Sequence, residues 1–204
     1  MPAFGEYSEV ALCNMALAEI GRGAEIVSLD EKSEAARACR RRYPYARDAV
    51  LRSYDWNFAT RRASLPASAD RPAFGYASAF PLPADCLLVR AVHNAGNVPW
   101  EVEQRAILAS AAAPLLVSYT ARVTNPSVFD VLFTDALVTR LAADLAVQLS
   151  DSQSRATSLY QLFQAKLADA RRRDADEGCT QRQTRGRWLD GRFDQGYVPA
   201  GEEA

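Results

Sequence analysis

Apolar positions recur at three- and four-residue steps in four stretches of the chain, and in short β-favouring runs between the second and third of them. From Ser8 to Gly21, Val10, Cys13, Leu17 and Ile20 form one stripe, the spacing of an amphipathic helix. Ser8 stands where an N-cap is expected, and Gly21 and Gly23 stand where the helix stops. AEIVSLDE then reads as a short extended linker. A second helix starts near Ser33, with Ala36, Cys39, Tyr43, Ala46 and Val50 on one face and Arg40, Arg41 and Arg42 mostly on the others. Pro44 lies inside this pattern, which predicts a kink or break near Tyr43. The helical period runs out between Ser53 and Asn57.

From residue 58 to 122 prolines and glycines become frequent and β-favouring runs appear. ASAFPLP, DCLLVRAV, VPWEVEQ and LLVSYTARV are the expected strands. The last is flanked by Pro114 and by Asn125-Pro126. Together they predict a small antiparallel sheet inserted between helices.

Helical spacing returns in NPSVFDVLFTDALVTRLAADLAVQL, with Asn125 as N-cap and Pro126 in the first turn. Phe129, Phe133, Ala136, Leu137, Leu141, Leu145 and Leu149 give it a broad apolar surface, which predicts a central position. A last helix starts at Asp151 or Ser152. It carries a stripe of Ala156, Leu159, Tyr160, Phe163, Leu167 and Ala170, and fades in ARRRDADE. The segment from Gly178 onward has no long apolar period but keeps Trp188, Leu189, Phe193 and Tyr197. Such anchors in a polar, Gly-rich stretch fit folding onto a partner or packing on the chain's own domain. The predicted fold is α+β, mostly α: a bundle of about four helices with an inserted antiparallel β lobe. Residues 1–177 form the helical domain, with the insertion at about 58–122, and residues 178–204 form an extended C-terminal tail.

Composition narrows the function classes. The chain has 204 residues, 49% of them hydrophobic, which is ample for a core. Its net charge of −1 lacks the global basic surplus of a dedicated nucleic-acid binder, although a local basic patch stays open. The N-terminal stretch MPAFGEYSEV has no basic region followed by an apolar core, and no run reaches the length of about 18 apolar residues that a membrane helix needs. The reading is a soluble protein made in a cytoplasm, with no membrane partner. Cys13, Cys39, Cys86 and Cys179 form no CxxC pair and match no zinc spacing. Cys13 and Cys39 fall on apolar helix faces, as buried free thiols do.

The candidate chemistry is thin. His93 is the only histidine, in the expected turn HNAGN, so any Ser-His-Asp or Cys-His arrangement would have to use it. There is no GxxxxGK[ST] and no GxGxxG to cradle phosphates. Asp30/Glu31 and Glu101/Glu103 are acidic pairs of the kind common on solvated surfaces. No catalytic, cofactor-binding or metal-ligating residue is assigned, no cofactor is expected, and the chain is read as a non-enzyme. The basic runs Arg40–Arg42 and Arg171–Arg173 are flanked by acids and fit a solvated helix face, or a subunit or nucleic-acid contact.

YDWNFATRRASL, Tyr54 to Leu65, places Tyr54, Trp56 and Phe58 at alternate positions directly after the second helix. Trp56, Phe58, Arg61 and Leu65 are read as a helix–sheet hinge, with one side of an extended segment facing the core. The rival is a stacking platform for single-stranded nucleic acid, served by Arg61 and Arg62.

Four stretches taken together resemble the tail tubular protein A family, the head-to-tail adaptors of short-tailed bacteriophages. The first is ALCNMALAEIG followed by EIVSLDEKSEAA. The second is ACRRRYPYARDAVLRSYDWNFATRRASL, with Cys39, Tyr43, Arg47, Leu51, Trp56, Phe58, Ala59, Arg61 or Arg62, and Leu65 at the family's positions. The third is FPLPADCLLV, where Leu88 stands at a position that is commonly Arg in the family. The fourth is LLVSYTARVTNPSVFDVLFTDALVTRLAADLA. The resemblance spans roughly residues 8 to 150, with weaker support from the last helix and from WLDGR. It implies a structural virion protein at the head–tail junction, synthesised in the bacterial host cytoplasm. Its partners would be a portal protein, a tail nozzle protein and further copies of itself in a ring, typically twelve in that family, around a conduit for transient, non-specific DNA passage. In such a ring, Arg187, Trp188, Leu189, Arg192, Phe193 and Tyr197 of the tail, together with the two Arg runs, are the expected portal or subunit contacts. The alternatives are a helical DNA-binding protein and an enzyme whose site the sequence does not reveal.

Overall fold

In a computed structural model the chain is α+β and mostly helical. It describes residues 7–23, 25–150 and 152–177. Among these are four α-helices: α1 (Glu9–Glu19), α2 (Glu34–Arg52), α3 (Val131–Ser150) and α4 (Gln153–Glu177). Between α2 and α3 lie six strands: β1 (Thr60–Leu65), β2 (Ser78–Pro81), β3 (Cys86–Val92), β4 (Trp100–Glu103), β5 (Ala106–Ala109) and β6 (Leu115–Ala121). No helix among the described residues is long and apolar enough to cross a membrane.

The helices start where side chains satisfy free amides. Ser8 accepts from the Ala11 amide and Ser33 from the Ala36 amide, as N-caps do. Ser152 receives the Arg155 amide at the head of α4; Asp151, the other expected start, lies outside the described residues. α1 ends at Gly21, whose φ of +77° is open to glycine, while the Arg22 amide reaches back to the Leu17 carbonyl. Of the kink or break expected near Tyr43, the break does not occur: α2 runs through Pro44 to Arg52. Tyr43, Ala46, Val50 and Leu51 on both sides of the proline are buried, so packing against the bundle holds the helix together where the missing N–H would weaken it.

α3 also differs from expectation. Asn125 does cap a turn, accepting from the Ser127 amide, but that turn is a separate 3₁₀ segment, Pro126–Val128. The long helix starts at Val131 with Asp130 as its cap: Oδ1 accepts from the Leu132 and Phe133 amides. The break lets Phe129 turn inward onto Phe133, ring centroids 5.0 Å apart. α3 is the central helix, with twelve buried residues along its length. α4 packs along it with Ala156, Phe163, Leu167 and Ala170, and does not fade in the charge run but continues to Glu177. The linker between α1 and α2 is held by Asn14, whose amide donates to the Ile26 carbonyl and accepts from the Ile26 amide at 3.0 and 2.9 Å.

The insertion forms two three-stranded antiparallel sheets, not one: β1-β6-β3 and β2-β5-β4. β6 is central to the first, pairing Thr60 with Thr120 on one side and Val89 with Tyr119 on the other. A second core lies in this lobe, built on Leu65, Phe80, Cys86, Ile107, Leu115 and Val117. The bundle core is separate and takes its buried members only from residues up to Ala59 and from Val123 onward.

Candidate functional site at the bundle–sheet joint

The expected hinge residues sit where α2 ends and β1 begins. Trp56 is 0% exposed. Its indole N–H donates to the Val50 carbonyl at 2.9 Å, closing the free C-terminal end of α2. Tyr54 and Phe133 stand edge-on to it at 5.2 and 5.1 Å. Phe58 meets Phe133 at 4.9 Å and Phe129 at 5.9 Å. Edge-to-face rings at these separations form a packed aromatic cluster. A stacking platform needs an open ring face, and Trp56 offers none. The segment is extended only from Thr60 onward, as β1; Asn57–Ala59 is a 3₁₀ turn. In that turn Trp56 and Phe58 reach the same cluster, centroids 6.2 Å apart, where strict alternation would place both on one side of a strand.

Arg61 is exposed and pairs with Asp85 at 2.6 Å. Asp85 also accepts from the Tyr119 hydroxyl, and its carbonyl from the Arg122 amide, so it ties β1 and β6 to the start of β3. Leu65 ends β1 in the lobe core, away from the aromatic cluster. The four hinge residues therefore divide: Trp56 and Phe58 in the bundle, Arg61 on the surface, Leu65 in the second core. Tail residues Arg187, Trp188, Leu189, Arg192, Phe193 and Tyr197 lie outside the described residues.

Two residues that the sequence reading did not single out hold this joint. Arg90, on β3, is largely buried and reaches across the sheet. It donates to the Thr120 hydroxyl and the Trp56 carbonyl, both at 2.9 Å, and to the Thr60 hydroxyl, and it pairs with Asp55 at 3.1 Å. Desolvation lowers its guanidinium pKa, and the Asp55 and Asp174 carboxylates oppose that. Asp174, near the end of α4, is buried and accepts the Asn57 amide on both oxygens at 3.1 and 3.2 Å, while Asn57 Nδ2 donates to the Asp174 carbonyl at 2.7 Å. Its carboxyl is raised above the ordinary value, first by desolvation, and the Asn57 amide works against that. Arg171 adds a bond to the Ser53 carbonyl at 2.8 Å and lies 5.9 Å from the Tyr54 ring centre. The only available signal for Arg90 was a lone charge inside the apolar run CLLVRAV; Asp174 was hidden inside a charge run.

His93 is exposed in a bend just after β3, with Nε2 3.0 Å from the Ser118 hydroxyl. It borders an open cleft of about 520 Å³ with Arg62, Ser64 and Leu116. Among the described residues the Ser118 hydroxyl is the imidazole's side-chain partner, and no carboxylate is hydrogen-bonded to it. Cys13 and Cys39 are buried free thiols. Their mutual contact and burial push Cys13 far above the ordinary thiol range.

No protein-family model matches this chain, and a search of curated proteins finds no match.

Proposed function

We propose that this chain is a structural head-to-tail adaptor: a subunit that forms a ring between a portal and a tail nozzle and surrounds passing DNA. The reading rests on the resemblance to the tail tubular protein A family. The observation that supports it is where the residues of that resemblance lie. Cys39, Tyr43, Arg47, Leu51, Trp56 and Ala59 are all buried, in one continuous path from α2 into the joint. A pattern of this kind specifies how a helical bundle holds a β lobe at a fixed angle, which is mechanical work, and it assembles no reacting groups. The joint is aromatic and multiply hydrogen-bonded, as suits a subunit that transmits force between two rigid parts. Its place would be the head–tail junction of a virion.

The test is the mass of the purified protein alone and mixed with its candidate portal, by native mass spectrometry or light scattering. A closed multi-copy assembly on the portal is expected. A protein that stays monomeric and ignores the portal would sink the reading.

A second reading, a nucleic-acid-binding protein, is favoured by one observation: Arg37, Arg40, Arg41, Arg42 and Arg52 are all exposed on α2. It predicts salt-dependent affinity for duplex DNA by the monomer.

A further inference from the structure

The outer face of α2 and a cleft in the β lobe are complementary in charge and in chemistry. Arg37, Arg41, Tyr45 and Arg52 follow one another at helical spacing and are all exposed, Tyr45 by 77%. They form a stripe about 22 Å long at 1.5 Å per residue. Asp48, which lies within the stripe, is already engaged by Arg47 and Arg122 at 2.9 and 2.7 Å. Arg40 is paired with Asp30. Among the described residues Arg37, Arg41 and Arg52 have no carboxylate partner.

The cleft has a volume of about 470 Å³ and lies over the β2-β5-β4 sheet. Its walls carry Phe74, Tyr76, Asp70, Arg71, Glu101 and Glu103, three acids to one base. Phe74 is 88% exposed, an aromatic side chain with no apolar cover. Glu101 and Glu103 sit two residues apart on β4 and so share a face. Among the described residues neither they nor Asp70 make an ion pair. Desolvation first, and then a hydrogen bond with Glu101 and the charges of Glu101 and Glu103, raise the Tyr76 phenol above its ordinary range. Aromatic faces beside carboxylates are the surroundings a guanidinium takes up most readily, stacking on the ring and pairing at its edge.

We propose that the α2 face of one copy docks into this cleft on a second copy, with Arg37 and Arg41 meeting Glu101 and Glu103, and with Tyr45 covering Phe74. This rests on the ring reading and says where its subunit contact lies. The two surfaces belong to different lobes of the molecule, so a one-way contact between them is heterologous and head-to-tail, the kind that generates a ring when it closes, whereas the reciprocal two-fold pairing would stop at a dimer. A phosphate backbone would also suit the basic stripe, but it would leave the acidic aromatic cleft without a role. A second copy uses both.

The experiment compares assembly, alone and on the portal, of the wild type, Arg37→Glu/Arg41→Glu, and Glu101→Lys/Glu103→Lys, with circular dichroism as a check on folding. All four side chains are exposed, so both variants are expected to fold. Each variant alone is expected to lose multi-copy assembly. Mixed in equal amounts the two should recover it, because each then offers what the other lacks, and wild-type assembly should weaken at least about tenfold from low to high salt. If both variants still build the wild-type assembly, the proposal is overturned and the ring reading stands. If they lose assembly singly but the mixture fails to restore it, charge pairing is not the contact and the proposal falls. If Arg37→Glu/Arg41→Glu abolishes duplex DNA binding and leaves assembly intact, the face belongs to nucleic acid. If the wild type forms no multimer even on the portal, the ring reading falls and takes the proposal with it.

Discussion

Arg90 answers for the backbone of one element and the side chains of two others, and this makes it the most demanding single residue of the joint. Replacing it with Met would keep much of its volume and strand the Thr120 hydroxyl in a region with little water, while the Thr60 hydroxyl and the Trp56 carbonyl keep their mutual bond at 2.9 Å. Each buried polar group left without a partner costs about 1–3 kcal/mol, with partial relaxation. Arg90→Met is therefore expected to lose about 1–3 kcal/mol in urea denaturation, whereas Arg61→Met, which breaks only an exposed pair, should lose less than about 1 kcal/mol. Asp174 and Glu19 make a prediction in pH. Both carboxyls are raised above their ordinary values of 3.8 and 4.5, each chiefly by desolvation. A raised folded-state pKa means that the folded protein binds the proton more tightly than the unfolded chain. Their contribution is then most favourable below the unfolded values and is lost as pH rises through the folded ones. Asp174→Asn keeps an acceptor for the Asn57 amide but carries no charge, so its stability relative to wild type is expected to increase from about pH 4 to neutrality. A difference that is flat with pH would show that the carboxylate is not strained by its burial. The thiols give a third check. Cys13, Cys39 and Cys86 are buried, so in a Cys179→Ser background a thiol reagent should react with them only on unfolding.

At the scale of elements, the legible parts were those whose burial matched a period. α1, α2 and α4 showed their stripes, and β2, β3, β4 and β6 lay within the runs expected to be strands. β1 was not legible. TRRASL puts Arg61, Arg62 and Ser64 in solvent and buries only Leu65, so its strand character comes from pairing with β6 and not from alternation. The same holds for the joint: Trp56 and Phe58 could be read as core aromatics, but Arg90 and Asp174 act at a distance in sequence that no local pattern encodes. β5 was hidden by its turn. β4 and β5 form a hairpin whose Glu103 and Ala106 pair across two residues, Gln104 and Arg105, with φ of 42° and 73°. Two successive positive φ values are what a type I′ turn requires, and Asn-Gly is its usual signature. Here the tertiary structure imposes the turn on residues that resist it, at a cost of about 1–2 kcal/mol for each non-glycine residue in the left-handed region. Gln104→Asn should recover part of that, raising stability by about 0.5–1 kcal/mol in thermal or urea unfolding. No gain would mean that the strain is already relieved by the lobe around it.

The described residues form two cores on one chain, and the chain enters and leaves the lobe side by side at the Thr60–Thr120 pair. Because the bundle core takes no buried residue from the insertion, the bundle should survive without it. Replacing residues 62–118 with Asn-Gly would leave Arg61 and Tyr119 as the base of a short hairpin. The product is expected to be a helical protein with a cooperative melt, weakened by about 2–4 kcal/mol because Trp56 loses its bond from Arg90 and the partly buried Leu87 no longer packs on the bundle. An unfolded or molten product would mean that the lobe is part of the bundle's fold and not an addition to it. If it folds, the same variant carries the α2 face and lacks the acidic cleft. It could then dock onto a wild-type copy but could accept none. Added to wild-type chains in small amounts it should terminate assembly, giving short open oligomers in place of closed rings. An isologous contact, with the same patch on both copies, would give no such termination, so the size distribution read by native mass spectrometry separates a head-to-tail chain from a symmetric pair.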